Sequence, residues 1–345
     1  MMMSTSFSGG AEQPNLDRQN LLEYRNADDK IVQGSTLEHW DLRWKETQEG
    51  LKTIMGPLPG DEKRVSLQMD VESEIDCGSY VRRRILYSSE PNNRTPAFLL
   101  IPKVAFEEGA QIPAVLALHS THWKLGSRVV VGLGGKYGRN YGEELAQRGY
   151  VVLAPDYPLM STHKPDLKEL GYISGSMKAV WDNIRGIDLL ESLPFVRPGK
   201  VAVIGHSLGG HNAIFTAVHE PRVGVIVTSC GFDSFHDYMG DGRTAWGQEC
   251  YMPEVLNYEL EDIPFDFYQL TAALAPRPFF SIAPLHDGNF RWDSVQDIHK
   301  AITPIYKLHN AEDKLKAIYP DYGHDFPDES RAAAYEFIDK YMKNE

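Results

Sequence analysis

Cysteine is scarce in this sequence. The 345 residues include three cysteines, Cys77, Cys230 and Cys250, which are far apart and form no Cys-x-x-Cys pair. So few cysteines exclude a disulfide framework and fit neither a zinc motif nor a redox motif. The first residues also lack the basic stretch and apolar core of a secretory signal. Both observations favour a reducing compartment, and we expect a cytoplasmic location.

Long apolar runs and an excess of positive charge are also missing. No run of about 18 apolar residues is present, so no membrane-spanning helix is predicted. The 48 acidic side chains outnumber the 35 basic ones, and the net charge is -13. Because nucleic acids and anionic membrane surfaces bind basic protein faces, neither is expected as a partner. A small-molecule substrate is the expected partner, and the oligomeric state is left open.

The chain divides into three parts by composition. Residues 1–16 are rich in Ser, Gly and other polar residues, and we predict a flexible tail there. Residues 17–60 are predicted to be an N-terminal helical extension, because Trp40 and Trp44 fall on one helical face before two prolines stop the pattern. Residues 61–345 are long enough to bury a large core and are predicted to form one α/β domain.

The main part begins with β-structure and continues with alternating strands and helices. Residues 64–103 alternate apolar and polar positions, as β-strands do. From residue 113, short and wholly apolar runs alternate with helical patterns, which indicates a mostly parallel sheet flanked by helices. The expected strands are 114–118, 150–153, 201–204, 223–227, 279–282 and 315–319. The expected helices lie near 137–148, 176–193, 208–218, 293–307 and 328–342.

An aromatic-rich stretch over 232–276 interrupts this alternation. It is too long for a plain connection and contains Gly and Pro breaks, so we expect an excursion with its own short helices. Its Trp and Tyr side chains could wall a substrate pocket and stack on a sugar, or they could simply pack the excursion. The sequence leaves both interpretations open.

The most informative motif is Gly-His-Ser-Leu-Gly at 205–209. An apolar strand leads directly into it and a helical pattern follows, which is the context of a nucleophile elbow. A tight turn at this point would present the hydroxyl of Ser207 to a substrate. The glycines on either side would let strand and helix approach closely. We therefore predict Ser207 as a nucleophile.

A serine nucleophile needs a base that takes its proton and a carboxylate that orients the base. In α/β-hydrolases the chain order is Ser, acid, His, so the partners should follow residue 207. His324 lies on a loop after an apolar run and is the predicted base. Asp287 lies on the loop after the preceding apolar run and is the predicted acid. The less favoured acids are Asp293, which resembles a helix N-cap, Asp313 and Asp321.

Two backbone amides are predicted to form an oxyanion hole. The N–H of Leu208 follows the nucleophile, and the N–H of Thr121 belongs to the loop after the strand 114–118. Histidines at 119, 122, 206 and 211 could suggest a metal site, but their spacing does not match a His-Glu-x-x-His motif and no Cys cluster accompanies them. We expect neither a metal nor another cofactor.

These motifs resemble the dienelactone hydrolase and acetyl xylan esterase-like branch of the α/β-hydrolases. The resemblance covers roughly residues 37–342 and includes Phe-Leu-Leu-Ile-Pro at 98–102, Pro-Asp-Tyr at 155–157, and Gly-His-Asp-Phe at 323–326. It implies ester hydrolysis through Ser207, Asp287 and His324. Two departures stand out, because dienelactone hydrolases have Cys in place of Ser207 and the oxyanion loop has Ser120 where Gly is usual.

The predicted function is that of a serine esterase that works through an acyl-enzyme, with a short acyl group and an acetylated carbohydrate as candidate substrates. A prolyl-oligopeptidase-like peptidase shares the fold and the triad order, but no propeller-length N-terminal domain is present. A non-catalytic binding protein on a hydrolase scaffold is the third interpretation. All three triad residue types are present, which argues against it.

Overall fold

A computed structural model describes residues 15–240 and 242–343. The predicted tail over 1–16 therefore lies outside the described residues, apart from its last two positions. The strands are β1 (Glu23–Arg25), β2 (Ile31–Gln33), β3 (Asp70–Asp76), β4 (Tyr80–Glu90), β5 (Asn93–Pro102), β6 (Ile112–Leu118), β7 (Val151–Pro155), β8 (Val196–His206), β9 (Val223–Ser229), β10 (Phe279–Ile282) and β11 (Leu315–Ile318).

Nine of these strands form one mixed sheet in the order β11-β10-β9-β8-β6-β7-β5-β4-β3. The six strands from β11 to β7 are parallel to their neighbours, and β5, β4 and β3 join them antiparallel. All residues of β7 and β9 are buried, because helices cover both faces of the sheet. The predicted α/β-hydrolase arrangement, with a mostly parallel sheet flanked by helices, is confirmed.

The helices are α1 (Leu37–Met55), α2 (Tyr141–Gln147), α3 (Gly175–Ser192), α4 (Leu208–His219), α5 (Gly242–Trp246), α6 (Phe267–Ala272), α7 (Trp292–Leu308) and α8 (Asp328–Met342). One hydrophobic cluster unites the apolar faces of α1, α3, α4, α6 and α7, and a second unites those of α2 and α8. The two clusters lie on opposite faces of the sheet, as right-handed crossovers between parallel strands require. None of the described helices is long and apolar enough to cross a membrane.

The prediction of helix over 17–60 is wrong for its first half. The segment holds the antiparallel pair β1 and β2, and the helix α1 begins only after the cap Thr36. The reason is a local turn at 26–30, where the Asn26 side chain accepts from the N–H groups of Asp28 and Lys30 and Asp29 adopts a φ of 59°. Asn and Asp favour such turns over helix because their side chains bond nearby backbone groups.

The excursion over 232–276 does contain short helices, as expected. They are α5 and α6, with 3-10 turns at Tyr238–Gly240, Pro253–Asn257 and Leu260–Asp262. Most of its rings are buried against one another, since Phe235 and Trp246 meet edge to face and both pack on Phe267. Packing is therefore the main role of these aromatics. Among the described aromatics of this stretch, Tyr238, Trp246 and Tyr251 also line the cleft beside Ser207.

Candidate active site

Ser207 occupies a strained turn between β8 and α4. Its backbone has φ 56° and ψ -123°, a conformation that non-glycine residues rarely adopt. A Cβ on Gly205 would lie 2.0 Å from the carbonyl oxygen of Gly209, and one on Gly209 would lie 1.9 Å from that of Leu118. Both positions therefore require glycine, and the motif spacing follows from the close approach of helix α4 to strands β8 and β6.

The structure brings Ser207, His324 and Asp287 together at the carboxyl ends of three parallel strands. Ser207 follows β8, Asp287 follows β10 and His324 follows β11. The Nε2 of His324 lies 3.0 Å from the Ser207 Oγ, and its Nδ1 lies 3.0 Å from both carboxylate oxygens of Asp287. This edge is where binding sites form in open α/β sheets.

The surroundings of Asp287 keep its carboxyl ionised. Its side chain is only 1% exposed, and burial acts to raise its pKa. The hydrogen bond and charge of His324, with N–H bonds from Asn289 and Phe290, outweigh burial and hold the pKa of Asp287 below its ordinary value. A carboxylate at the Nδ1 of His324 places the ring proton there, so Nε2 is free to accept the proton of Ser207.

The other candidate acids lie apart from His324. Asp293 stands at the start of α7 and pairs with Arg291 at 2.6 Å. Asp321 is exposed and pairs with His286 at 2.8 Å. Asp313 is exposed in a 3-10 turn before β11. Asp287 is the carboxylate whose contacts with His324 suit the predicted role.

The predicted oxyanion residues border the same cleft as Ser207. Leu208 is the first residue of α4, where the backbone N–H groups have no partner within the helix and attract negative charge. Thr121 lies on the loop after β6, and its hydroxyl is 3.1 Å from that of Tyr251 in the excursion. The cleft is lined by Thr121, Ser207, Leu208, His211, Tyr238, Ala245, Trp246, Tyr251 and Phe290.

His119 holds the loop after β6, which carries the predicted oxyanion residue Thr121, and no sequence motif indicated this contact. Its Nδ1–H donates to the Ser120 carbonyl at 2.7 Å, and its Nε2 accepts from the Tyr157 N–H at 2.9 Å. Burial lowers its pKa, so the ring is neutral and can make both bonds. The ring thus ties the loop after β6 to the loop after β7. The only signal in the sequence is that both loops follow apolar runs.

His206 supports His324 from within the sheet. Its ring is fully buried, its Nδ1 lies 3.1 Å from the Ser229 Oγ, and its centroid is 4.9 Å from that of His324. These contacts are those of a packing and hydrogen-bonding residue. His206, Cys230 and His324 are close enough to hold a metal. Both nitrogens of His324 already face Ser207 and Asp287, so the ring has no lone pair free for an ion.

The comparisons with known proteins define the family. The sequence model described as the alpha/beta hydrolase family matches residues 115–342. YtaP of Bacillus subtilis (strain 168), which is named as a hydrolase, is 25% identical over 310 residues, covering 86% of this chain and 99% of the relative. A 4-O-methyl-glucuronoyl methylesterase 1 of Wolfiporia cocos (strain MD-104) is 25% identical over 196 residues, covering 48% of this chain and 46% of the relative. The chain belongs to the alpha/beta hydrolase family.

Solved structures share the fold over nearly the whole chain. A glucuronoyl esterase from Solibacter usitatus superposes with a TM-score of 0.72 at 16% identity, covering 95% of this chain and 98% of the other. Acetyl xylan esterase 1 from Thermoanaerobacterium sp. JW/SL YS485 gives 0.53 at 18% identity, covering 95% and 99%. The expected resemblance to this branch of the family is confirmed at the level of the fold.

Proposed function

We propose that this protein is a serine esterase that hydrolyses carboxylic esters through Ser207, His324 and Asp287. The observation that carries the proposal is the unbroken chain of contacts from the Ser207 Oγ through His324 to Asp287, each at 3.0 Å. It lies at a strained turn that projects the serine hydroxyl. An arrangement of this kind increases the nucleophilicity of a hydroxyl that is otherwise a weak nucleophile.

The reaction proceeds in two steps. The Ser207 Oγ attacks the ester carbonyl carbon while its proton passes to the Nε2 of His324. Asp287 stabilises the imidazolium, and the N–H groups of Leu208 and Thr121 hold the oxyanion. The C–O bond to the alcohol then breaks, the proton of His324 goes to the departing alkoxide, and an acyl-enzyme remains. Water, deprotonated by His324, attacks the acyl carbonyl carbon. The bond from this carbon to the Ser207 Oγ then breaks, the proton on His324 returns to the Oγ, and the carboxylic acid is released.

Carbohydrate esters are the proposed substrate class. The Wolfiporia cocos relative is named as a methylesterase of a glucuronoyl ester, and the two superposed structures are named as esterases of glucuronoyl and acetyl xylan substrates. None of these three names favours the peptidase interpretation. Fold alone does not decide a substrate, so the proposal rests on the site and its relatives together.

The test combines a covalent probe with a substrate panel. A fluorophosphonate should label the wild-type protein once, at Ser207, and should not label Ser207→Ala. The wild type should hydrolyse simple acetates, acetylated sugars and methyl uronates, and Ser207→Ala should lose at least about 10³-fold in kcat. Hydrolysis that survives in Ser207→Ala would overturn the proposal, as would labelling at another residue. Cleavage of peptide amides as fast as esters would replace the esterase with a peptidase.

A further inference from the structure

Two side chains in the cleft beside Ser207 carry buried polar atoms without hydrogen-bond partners. His211, four residues after Ser207 on α4, is 4% exposed, and neither of its ring nitrogens makes a hydrogen bond of acceptable geometry with the described residues. The Gly231 backbone favours the protonated form of this ring, as a carbonyl near one ring N–H does, so the other nitrogen is the one without any partner. The indole Nε1 of Trp246 is also buried without a partner. The two rings meet edge to face with centroids 4.6 Å apart.

Unpartnered polar atoms are costly when they are buried, and native proteins contain few of them. Other such atoms exist among the described residues, for example in Arg84 and Thr228, but those residues do not line the cleft. His211 and Trp246 come from different parts of the chain, and both border the same small cleft as the proposed nucleophile. A bound group that supplies the missing partners explains why both are retained there.

The chemistry of the two rings selects a neutral group. Burial lowers the pKa of His211 to about 3, so its ring is uncharged at neutral pH and its nitrogen away from Gly231 is a hydrogen-bond acceptor. The Nε1–H of Trp246 can only donate. No Lys, Arg, Asp or Glu is among the described residues that line the cleft. A hydroxyl suits this pair, because its oxygen can accept from Trp246 while its proton is donated to His211.

The position of the cleft identifies the part of the ester that enters it. The leaving alcohol must depart next to His324, which returns the proton to it. His324 is not among the lining residues, whereas Leu208 and Thr121, which carry the proposed oxyanion donors, are. The cleft therefore lies on the acyl side of the ester bond.

We propose that His211 and Trp246 bind a hydroxyl group on the acyl part of the substrate, so that the preferred substrates are esters of hydroxy acids. This inference rests on the proposed function, because it requires Ser207 to attack an ester. It distinguishes between the kinds of ester named among the relatives, since an acetyl group has no hydroxyl and an acyl group derived from a sugar acid does.

The test compares three methyl esters that differ only in the acyl group: glycolate, methoxyacetate and propionate. Glycolate carries the hydroxyl, methoxyacetate keeps the electron-withdrawing oxygen without a donor, and propionate has neither. The ratio of kcat/KM for glycolate to that for propionate should fall at least about tenfold in His211→Phe and in Trp246→Phe, which keep an aromatic ring but lack the N–H groups. The ratio of methoxyacetate to propionate should change much less. His211→Gln, which restores a donor and an acceptor, should recover part of the preference for glycolate.

The matched control is His219→Phe, on the same helix but away from the cleft, where the ring donates to the Phe215 carbonyl. It should leave the glycolate preference at the wild-type value. Fluorophosphonate labelling of each variant checks that Ser207 is still presented, and Trp246→Phe and His211→Gln provide the test if His211→Phe does not fold. Equal loss on glycolate and propionate, or an unchanged ratio, would overturn the inference. Failure of the wild type to hydrolyse any ester would instead overturn the proposed function.

Discussion

Among the described residues, two histidines pair with a buried aspartate, Asp287 or Asp182, and the two pairs differ in what surrounds them. In the first, Asp287 holds His324 at 3.0 Å and the far side of the ring faces Ser207. In the second, Asp182 lies 2.8 Å from the Nε2 of His163 between α3 and the loop after β7. The same pair of residue types, histidine and aspartate, thus occurs once at the edge of the sheet and once within the core.

The second pair belongs to a cluster of buried charged side chains. Lys178 lies 2.5 Å from Asp182 and 2.8 Å from Glu90, and the exposed fraction of each of these side chains is 1% or less. The cluster of Glu90, His163, Lys178 and Asp182 is called the buried ionic cluster below. Burial acts to raise the pKa of Asp182, but Lys178 and His163 outweigh it and hold the pKa well below its ordinary value.

The two pairs differ in the exposure of the histidine and in whether its ring also contacts a side chain at a cleft. The His324 side chain is 25% exposed, and its ring leads to a hydroxyl that borders a cleft. His163 is 2% exposed, and its carboxylate is shared with a lysine. A pair of this kind can move a proton to a substrate only where a substrate can reach it. We therefore expect the first pair to govern activity and the buried ionic cluster to govern stability.

The largest expected effect comes from the first pair. Asp287→Asn should keep the position of the ring but favour the wrong tautomer, so kcat for ester hydrolysis should fall about 10⁴-fold. The midpoint of thermal unfolding should change little, because an amide can still bond His324. Steady-state kinetics and a melting curve measure the two quantities. A large loss of stability with normal activity per folded molecule would reverse the assignment.

The next largest effect belongs to the buried ionic cluster. Lys178→Met leaves the buried carboxylate of Asp182 without its lysine, whereas Glu90 keeps its pair with Lys63 at 2.8 Å. The free energy of unfolding should fall by about 3–5 kcal/mol, because a buried charge loses its partner. The value of kcat per folded molecule should stay within a factor of about 3 of the wild type. Urea unfolding followed by fluorescence measures the first quantity.

The control for Lys178→Met is Lys300→Met. Lys300 pairs with Asp297 three residues earlier on α7, and both side chains are more than half exposed. An exposed pair of this kind contributes at most about 1 kcal/mol. If the two variants were equally stable, the buried ionic cluster would have no special role in stability.

Acid should weaken both pairs, and the sign follows from their pKa values. The carboxyls of Asp182 and Asp287 have pKa values below the ordinary 3.8 in the folded protein. The unfolded chain therefore takes up protons first, so their stabilisation is present above about pH 4 and is lost as the pH falls further. Asp182→Asn should be less stable at pH 6 but should lose about 1 kcal/mol less than the wild type between pH 5 and pH 3, because one carboxyl with an unfolded pKa of 3.8 can contribute no more than that over this range. Unfolding in urea across that range measures the difference, and parallel curves for the two proteins would contradict it.

The sequence predicted the first pair and not the second, for a physical reason. Ser207, Asp287 and His324 each follow an apolar run, and the carboxyl ends of parallel strands meet at one edge, so chain order and strand pattern suffice to bring them together. Strand β10 coincides with its predicted run, 279–282. The members of the buried ionic cluster carry no such signal, because Glu90 and Asp182 are 92 residues apart and meet only once α3 has packed on the sheet.

The other features that the sequence did not predict also depend on contacts that leave no pattern of apolar residues. The β1–β2 turn depends on one Asn side chain that bonds its own backbone, and apolar spacing does not report such bonds. The support of the loop after β6 by His119 depends on a contact with Tyr157, 38 residues away. The nitrogens of His211 and Trp246 lack hydrogen-bond partners only because of how their neighbours pack, and the sequence carries no information on that packing.

The smallest expected effect tests the indirect support of the first pair. Ser229→Ala removes the hydroxyl that lies 3.1 Å from the Nδ1 of His206, the ring that packs on His324. A neighbouring buried pair offers a matched control, since Ser281 lies 2.6 Å from the Nε2 of His299 away from the cleft. Each Ser→Ala change should lower the free energy of unfolding by about 1–2 kcal/mol, because a buried histidine loses its partner. Only Ser229→Ala should also lower kcat, by roughly 3- to 10-fold, since about 1 kcal/mol of lost positioning at His324 corresponds to that factor.

Equal stabilities with unequal kcat values would show that His206 positions His324. Equal kcat values would show that His206 contributes only to core packing.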